Sequence, residues 1–197
     1  MKYSFEDEVQ VKSEQDSARS RYMSIYDWVE AAVFSIICVV MVFTFLFRIV
    51  GVDGPSMMNT LLDKQRLILT SYPITPERGD IVVINRYTQE PIVKRVIATA
   101  GDKLFVDPED YSVYLNGEKL QEDYTIGYTQ PHDLTGEITI PKGYVFVMGD
   151  NRTVSLDSRY NEVGIVSVKD VMGKAVFRIW PFDSFGTLPN VTVGPAS

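Results

Sequence analysis

Apolar positions are distributed along this chain in two ways. Between Glu30 and Arg48 they form one block, Ala31 to Phe47 (AAVFSIICVVMVFTFLF), 17 residues without a charge. At the helical rise of 1.5 Å per residue this block is roughly 26 Å long, about a bilayer's hydrocarbon core once flanking residues snorkel. It lacks the spacing of an amphipathic helix, and Tyr26 and Trp28 stand at one end, where such rings favour the headgroup level. It is long for a cleaved leader, no small-residue exit follows it, and Arg48 ends it. The pattern predicts a transmembrane helix over residues 25–50.

Beyond residue 51 the apolar positions come in short runs rich in Val, Ile and aromatics: Arg66–Ser71, Asp80–Asn85, Ile92–Thr99, Tyr111–Leu115, Tyr144–Met148 and Ala175–Trp180. Turn chemistry separates them, with Glu77-Arg78-Gly79-Asp80, Gly101-Asp102, Asn116-Gly117 and Pro141-Lys142-Gly143 between runs. Asn116-Gly117 is a strong hairpin signal, because both central residues of a type I′ turn need positive φ. Short helices fit only at Ser56–Leu62 and Ser167–Met172. The expected fold is mostly β: an antiparallel β domain over residues 51–197 with a small β insertion at about 107–141, anchored by one N-terminal transmembrane helix.

Charge sets the orientation and the partners. Lys12, Arg19 and Arg21 precede the span, whereas Arg48 is the one basic residue close after it, which puts the N-terminus on the cytoplasmic side. Residues 1–24 are polar with mixed charge and read as a disordered cytoplasmic tail. The whole chain of 197 residues carries a net charge of −7, and residues 1–30 hold 4 basic and 7 acidic residues of it, leaving a mildly acidic outer domain. No nucleic-acid partner is expected of such a chain. A single cysteine, Cys38, excludes a disulfide framework and a cysteine-based zinc site, and no metal or cofactor is expected. With one histidine, His132, set in a polar loop and read as solvated, acid–base chemistry must use another group.

Four segments carry candidate chemistry: Gly54-Pro55-Ser56-Met57-Met58-Asn59-Thr60-Leu61; Arg78-Gly79-Asp80; Val93-Lys94-Arg95-Val96-Ile97 with Gly101-Asp102; and Met148-Gly149-Asp150-Asn151-Arg152 with Ser155, Asp157, Ser158 and Arg159. Each alone has an ordinary explanation: a helix cap, a turn, a surface ion-pair network. In a strand Lys94 shares a face with Ile92, Val96 and Ala98, while Arg95 falls between Val93 and Ile97 on the other, so periodicity leaves open which cation is buried. A buried lysine loses charge more readily and can serve as a general base, which arginine cannot. A serine nucleophile needs such a base, and here Ser plus Lys is the available pairing.

These four segments, in this order behind one N-terminal span, resemble a bacterial type I signal peptidase of the single-span kind, from roughly Trp28 to Trp180. The resemblance implies an extracytoplasmic serine endopeptidase that removes signal peptides from exported preproteins, a monomer held in the cell membrane's lipid bilayer. It implies Ser56 as nucleophile and Lys94 as general base, with Ser155 helping to orient the amine and the Ser56 N–H donating to the oxyanion. Asp157 and Arg159 match a bracing pair, and Gly149, Asp150 and Arg152 match the glycine-led turn beneath the site. Three positions depart from the family pattern. Gly54 stands where some members have a serine that donates to the oxyanion, Asn59-Thr60 stands for Pro-Thr, and Pro55 precedes the nucleophile. Two other readings stay open, a different Ser–Lys protease of the self-cleaving repressor type and a non-catalytic anchored β domain. Trp180, Phe182 and Phe185 read either as a membrane-resting patch or as core aromatics.

Overall fold

A computed structural model describes residues 22–23, 25–41, 44, 47–70, 75–86, 89–189, 191 and 193–194. Two compact units divide the chain, residues 1–45 and 46–197. In the first, the described residues are helical and every one from 25 to 41 is exposed. Among the described residues, no helix is long and apolar enough to cross a membrane. Most of the expected tail, residues 1–21 and 24, lies outside the described residues.

Among the described residues the second unit holds twelve strands: β1 (Phe47–Gly51), β2 (Arg66–Thr70), β3 (Ile81–Arg86), β4 (Gln89–Ala98), β5 (Lys103–Val106), β6 (Val113–Leu115), β7 (Glu118–Lys119), β8 (Ile138–Thr139), β9 (Tyr144–Met148), β10 (Val166–Ser167), β11 (Val171–Trp180) and β12 (Gly186–Thr187). The main sheet runs β1-β2-β11-β3-β4-β9-β10, with β12 paired to β11, and a smaller sheet runs β7-β6-β5-β8. All these pairings are antiparallel. The smaller sheet lies between β4 and β9 in the chain; its β6, β7 and β8 fall within residues 107–141, and the Asn116-Gly117 turn takes the anticipated positive φ at both residues, 55° and 86°.

One boundary corrects the sequence expectation. The span expected over residues 25–50 does not run as helix to residue 50, because Phe47–Gly51 pairs with β2 from Phe47↔Thr70 to Gly51↔Arg66. Arg48 interrupts the apolar block there, and an edge strand satisfies backbone groups that a continuing helix would otherwise bond internally.

Continuous apolar runs arise where a strand is covered on both faces. In β3, Ile81 and Val83 enter one cluster with Met57, Leu61, Leu67 and Leu69, while Val82 and Ile84 enter the opposite one with Val96, Val147 and Val171. A third cluster, including Ile97, Leu104, Leu115, Ile140, Phe146 and Met148, joins the smaller sheet to β4 and β9. Trp180, Phe182 and Phe185 are not core residues: they are 47%, 73% and 59% exposed, with Trp180 edge-on to Phe182 and Phe185 edge-on to Phe177.

Candidate active site

Ser56, the candidate nucleophile, sits on a tight turn between β1 and β2. Met58 N–H bonds the Pro55 carbonyl at 3.1 Å, and Thr60 and Leu61 N–H both bond the Met57 carbonyl, at 3.0 and 2.8 Å. This is one turn, not the short helix expected over Ser56–Leu62. Asn59 takes φ 38°, which stops helical propagation and which a proline ring could not adopt. The Asn59 departure therefore reflects a turn built differently from one with Pro there. Met57 and Leu61, 1% and 0% exposed, pin the turn into the core and leave Ser56 half-buried. Gly54 has φ 83°, a left-handed conformation, and its N–H bonds Asp63 at 2.9 Å. It shapes the approach to Ser56 and offers no side-chain donor.

Lys94 reaches this turn from β4, where it pairs with Val82 of β3. Its Nζ lies 2.8 Å from Ser56 Oγ. The lysine is 3% exposed and its neighbour Arg95 is 0%, so both cations that periodicity could not separate are buried, with different partners. Burial is the main cause that pushes the Lys94 amine down to about 8, with Arg159 and Arg86 adding to it and Asp157 and Asp150 opposing. Arg95 is instead fully committed: Nε and Nη2 donate to Asp150 at 2.8 and 2.6 Å, Nη1 to the Gly79 carbonyl at 2.8 Å, and Nη2 also to Thr60 Oγ1 at 3.2 Å.

A loop after β9, residues 149–159, closes the site from below. Asn151 N–H bonds the Ser56 carbonyl at 3.0 Å and its Nδ2 bonds the Pro55 carbonyl at 3.3 Å. Gly149 lets these backbones meet, since a Cβ there would collide with Ser155 Oγ and the Ser56 carbonyl oxygen. Its N–H bonds Asp157 Oδ2 at 3.0 Å, and Arg159 forks onto the same carboxylate at 2.8 and 2.9 Å. Burial pushes the Asp157 carboxyl up, but the Arg159 guanidinium and the Gly149 N–H more than offset that and hold it below the usual range. Ser155 Oγ adds a weak pull on Asp157 without hydrogen-bond geometry; it is buried and makes no hydrogen bond, to Lys94 or otherwise. Thus Ser56 and Lys94 are brought into direct contact, Gly149, Asp150, Arg152, Asp157 and Arg159 form the buried support, and Ser155 stands in that support with its hydroxyl unused.

A serine hydroxyl against a desolvated amine, on a β scaffold, is the arrangement of a Ser–Lys hydrolase. Residues 25–180 match the family model described as signal peptidase, peptidase S26. The chain belongs to that family. It is 35% identical over 185 residues to a signal peptidase I of Bacillus amyloliquefaciens, covering 88% of this chain and 97% of the relative. A signal peptidase I of Bacillus caldolyticus is 38% identical over 168 residues, covering 77% and 90%. A solved signal peptidase I of Enterococcus faecalis V583 overlaps with a TM-score of 0.42 at 29% identity, covering 51% of this chain and 97% of that one. Membership makes the chain a peptidase of a family that is generally membrane-associated, and it sets aside the repressor-type and binding-only readings.

Some residues of this signal peptidase's site escape sequence reading. Thr60 donates to Asp150 Oδ2 at 2.5 Å and so ties the nucleophile's turn to the loop below. Glu122 and Tyr124, from the insertion, reach Arg152 and Arg95. A lone acidic or aromatic residue in a turn-rich stretch carries no signal of this. His132 also differs from expectation: it stacks on Tyr160 with ring centroids 4.1 Å apart, and its Nε2 lies 3.1 Å from the Tyr160 hydroxyl. Among the described residues, no group of three or more His, Cys, Asp or Glu is placed to hold a metal.

Proposed function

We propose that this chain is a signal peptidase I that cuts exported preproteins through a Ser56–Lys94 dyad while held at the membrane by its N-terminal helix. Removal of signal peptides follows from the family. The dyad rests above all on one observation, the 2.8 Å contact between Ser56 Oγ and the amine of a lysine that is 3% exposed.

Lys94, neutral, accepts the Ser56 proton as Oγ attacks the carbonyl of the bond after the signal segment. The Ser56 N–H faces the charge that develops on the carbonyl oxygen; with Gly54 in place of a hydroxyl-bearing residue, no side chain at that position shares the task. Lys94 passes that proton to the departing amine, so the mature protein leaves as the acyl-enzyme forms on the signal segment; neutral again, the same lysine deprotonates a water that hydrolyses the ester and releases the signal peptide. The orienting role that the resemblance implies for Ser155 rests on its hydroxyl being buried and left unpartnered beside Gly149, free to accept a new bond. With a Lys94 pKa of about 8, about a tenth of the amine is neutral at pH 7, so the base is usable near neutrality. The substrate enters as an extended strand with small residues at the first and third positions before the cut, as in the family resembled. Both members of the dyad come from one chain, so a monomer suffices.

Anchoring is supported by the apolar side chains from Ala31 to Met41, exposed among the described residues, and by the exposed Trp180, Phe182 and Phe185, which suit a headgroup layer. Basic residues ahead of the helix put the tail inside and residues 51–197 outside. The test is cleavage of a purified preprotein in detergent by wild type, Ser56→Ala and Lys94→Ala, with folding checked by circular dichroism. Loss of cleavage in both folded variants is expected; cleavage by Lys94→Ala at the wild-type rate would remove lysine as the base.

A further inference from the structure

Among the described residues, three arginines are buried to 1% exposure or less: Arg95, Arg152 and Arg159. Each has its own carboxylate. Arg95 pairs with Asp150 and Arg159 with Asp157, both within the loop after β9, but Arg152 pairs with Glu122 of the insertion. Arg152 Nη1 and Nη2 donate to Glu122 Oε2 and Oε1 at 2.8 and 2.5 Å, and Nη1 also to Thr129 Oγ1 at 2.8 Å. The third nitrogen, Nε, donates to the Gly149 carbonyl at 3.0 Å, at the glycine whose backbone packs on Ser56 and Ser155. Tyr124, two residues on, donates its hydroxyl to Glu122 Oε1 at 2.8 Å and lays its ring 4.5 Å from the Arg95 guanidinium carbon. Backbone bonds from Ile126 N–H to the Asp150 carbonyl and from Arg152 N–H to the Ile126 carbonyl, both 2.8 Å, lock this segment beside the loop.

We propose that Glu122 and Tyr124 are positioning residues of the peptidase: by clamping Arg152 and Arg95 they fix the Gly149 seam under Ser56 and keep the buried charges matched, which leaves Lys94, among the described residues, as the one buried cation without a carboxylate of its own. This inference rests on the Ser56–Lys94 reading. The charged and titratable groups that act on Lys94 are Asp157 and Arg159 from the loop, Asp150 from the same loop, Arg86 from β3 and the Ser56 hydroxyl. Arg152 also feels Asp157, so losing Glu122 makes it compete for that carboxylate. Asp157 is the strongest charge favouring the Lys94 ammonium, and diverting it favours the neutral amine. The sign follows: activity rises as Lys94 loses its proton, and without the Glu122 charge that rise moves to lower pH. At the same time the loosened seam lowers turnover.

The experiment measures kcat and KM for a preprotein from pH 6 to 10 with full-length wild type, Glu122→Gln, Glu122→Asp, Tyr124→Phe and Lys94→Ala in detergent, with melting temperatures alongside. Glu122→Gln is expected to lose about tenfold in kcat at nearly unchanged KM, with its rising limb displaced toward lower pH. Glu122→Asp, which keeps the charge, should return the limb toward the wild-type position. Tyr124→Phe keeps the ring over Arg95 and loses the hydroxyl, and should show a smaller loss of kcat. A Glu122→Gln enzyme with wild-type kcat and limb, or with only a lowered melting temperature, overturns the inference while an inactive Lys94→Ala leaves the dyad standing. Wild-type cleavage by Lys94→Ala would sink the dyad and this inference together.

Discussion

The seam under the active site and the smaller sheet beside it are neighbours in the chain and are held together by different physics. In the smaller sheet, Leu104, Val106, Val113 and Leu115 are all buried in an apolar cluster, and its ion pairs, Lys103–Glu137 and Lys119–Asp110, are exposed. In the seam, the buried groups are Arg95, Arg152 and Arg159 with Asp150 and Asp157, joined by the half-buried Glu122, each cation forked onto a carboxylate. Apolar packing is non-directional and forgives a change of shape. A buried ion pair gains little over apolar residues but loses heavily when one partner is removed, because the other charge is stranded. The difference shows what the seam is for. It fixes positions to within a hydrogen bond around the Ser56–Lys94 contact, at a stability cost that the apolar clusters offset.

That contrast can be broken at the base itself. Lys94→Arg keeps a buried cation but cannot give it up at usable pH, so cleavage is expected to fall on the order of 10⁴-fold; single-turnover cleavage of a preprotein measures this, and retained activity would deny Lys94 its role. One layer down, Asp150→Ala strands Arg95 and frees Thr60, and should cost about 3–5 kcal/mol in denaturant unfolding. The pH–rate profile of wild type should rise through about pH 8 as Lys94 deprotonates, since the neutral amine is the active form. A flat profile from pH 6 to 9 would place the base elsewhere. In the smaller sheet, Leu104→Met conserves volume and should cost less than about 1.5 kcal/mol with cleavage unchanged. Smallest of all, Lys103→Ala removes an exposed pair 3.6 Å long and should shift stability by no more than about 1 kcal/mol, less at high salt. If Leu104→Met disturbed cleavage as strongly as Asp150→Ala disturbs folding, the division between the two regions would be wrong.

Much of the scaffold is legible without coordinates. Short β-branched runs, the Asn116-Gly117 turn and the absence of helical periodicity after residue 51 are local signals, and the strands appear where those signals fall. Strand ends are less legible: β4 and β11 extend beyond the runs that announced them, because pairing with β3 carries residues of modest propensity into the ladder. The single turn at Ser56 depended on the φ of Asn59 and on where Met57 and Leu61 could be buried.

The same division holds for the chemistry. A chain with one histidine, one cysteine and a lysine set among apolar strand residues was limited to a short menu of nucleophile and base, and the four motif segments named the family that uses it. Residue types and their order along the chain determined that much. Side chain contacts across 38 residues between Ser56 and Lys94, and across 30 between Glu122 and Arg152, are set by strand register and by how the insertion folds back. Only the tertiary structure decided that Lys94 and Arg95 are both buried, one against a hydroxyl and the other against a carboxylate and a tyrosine ring. Charge state depends on that surrounding dielectric and on those partners, and no local pattern in the sequence encodes either.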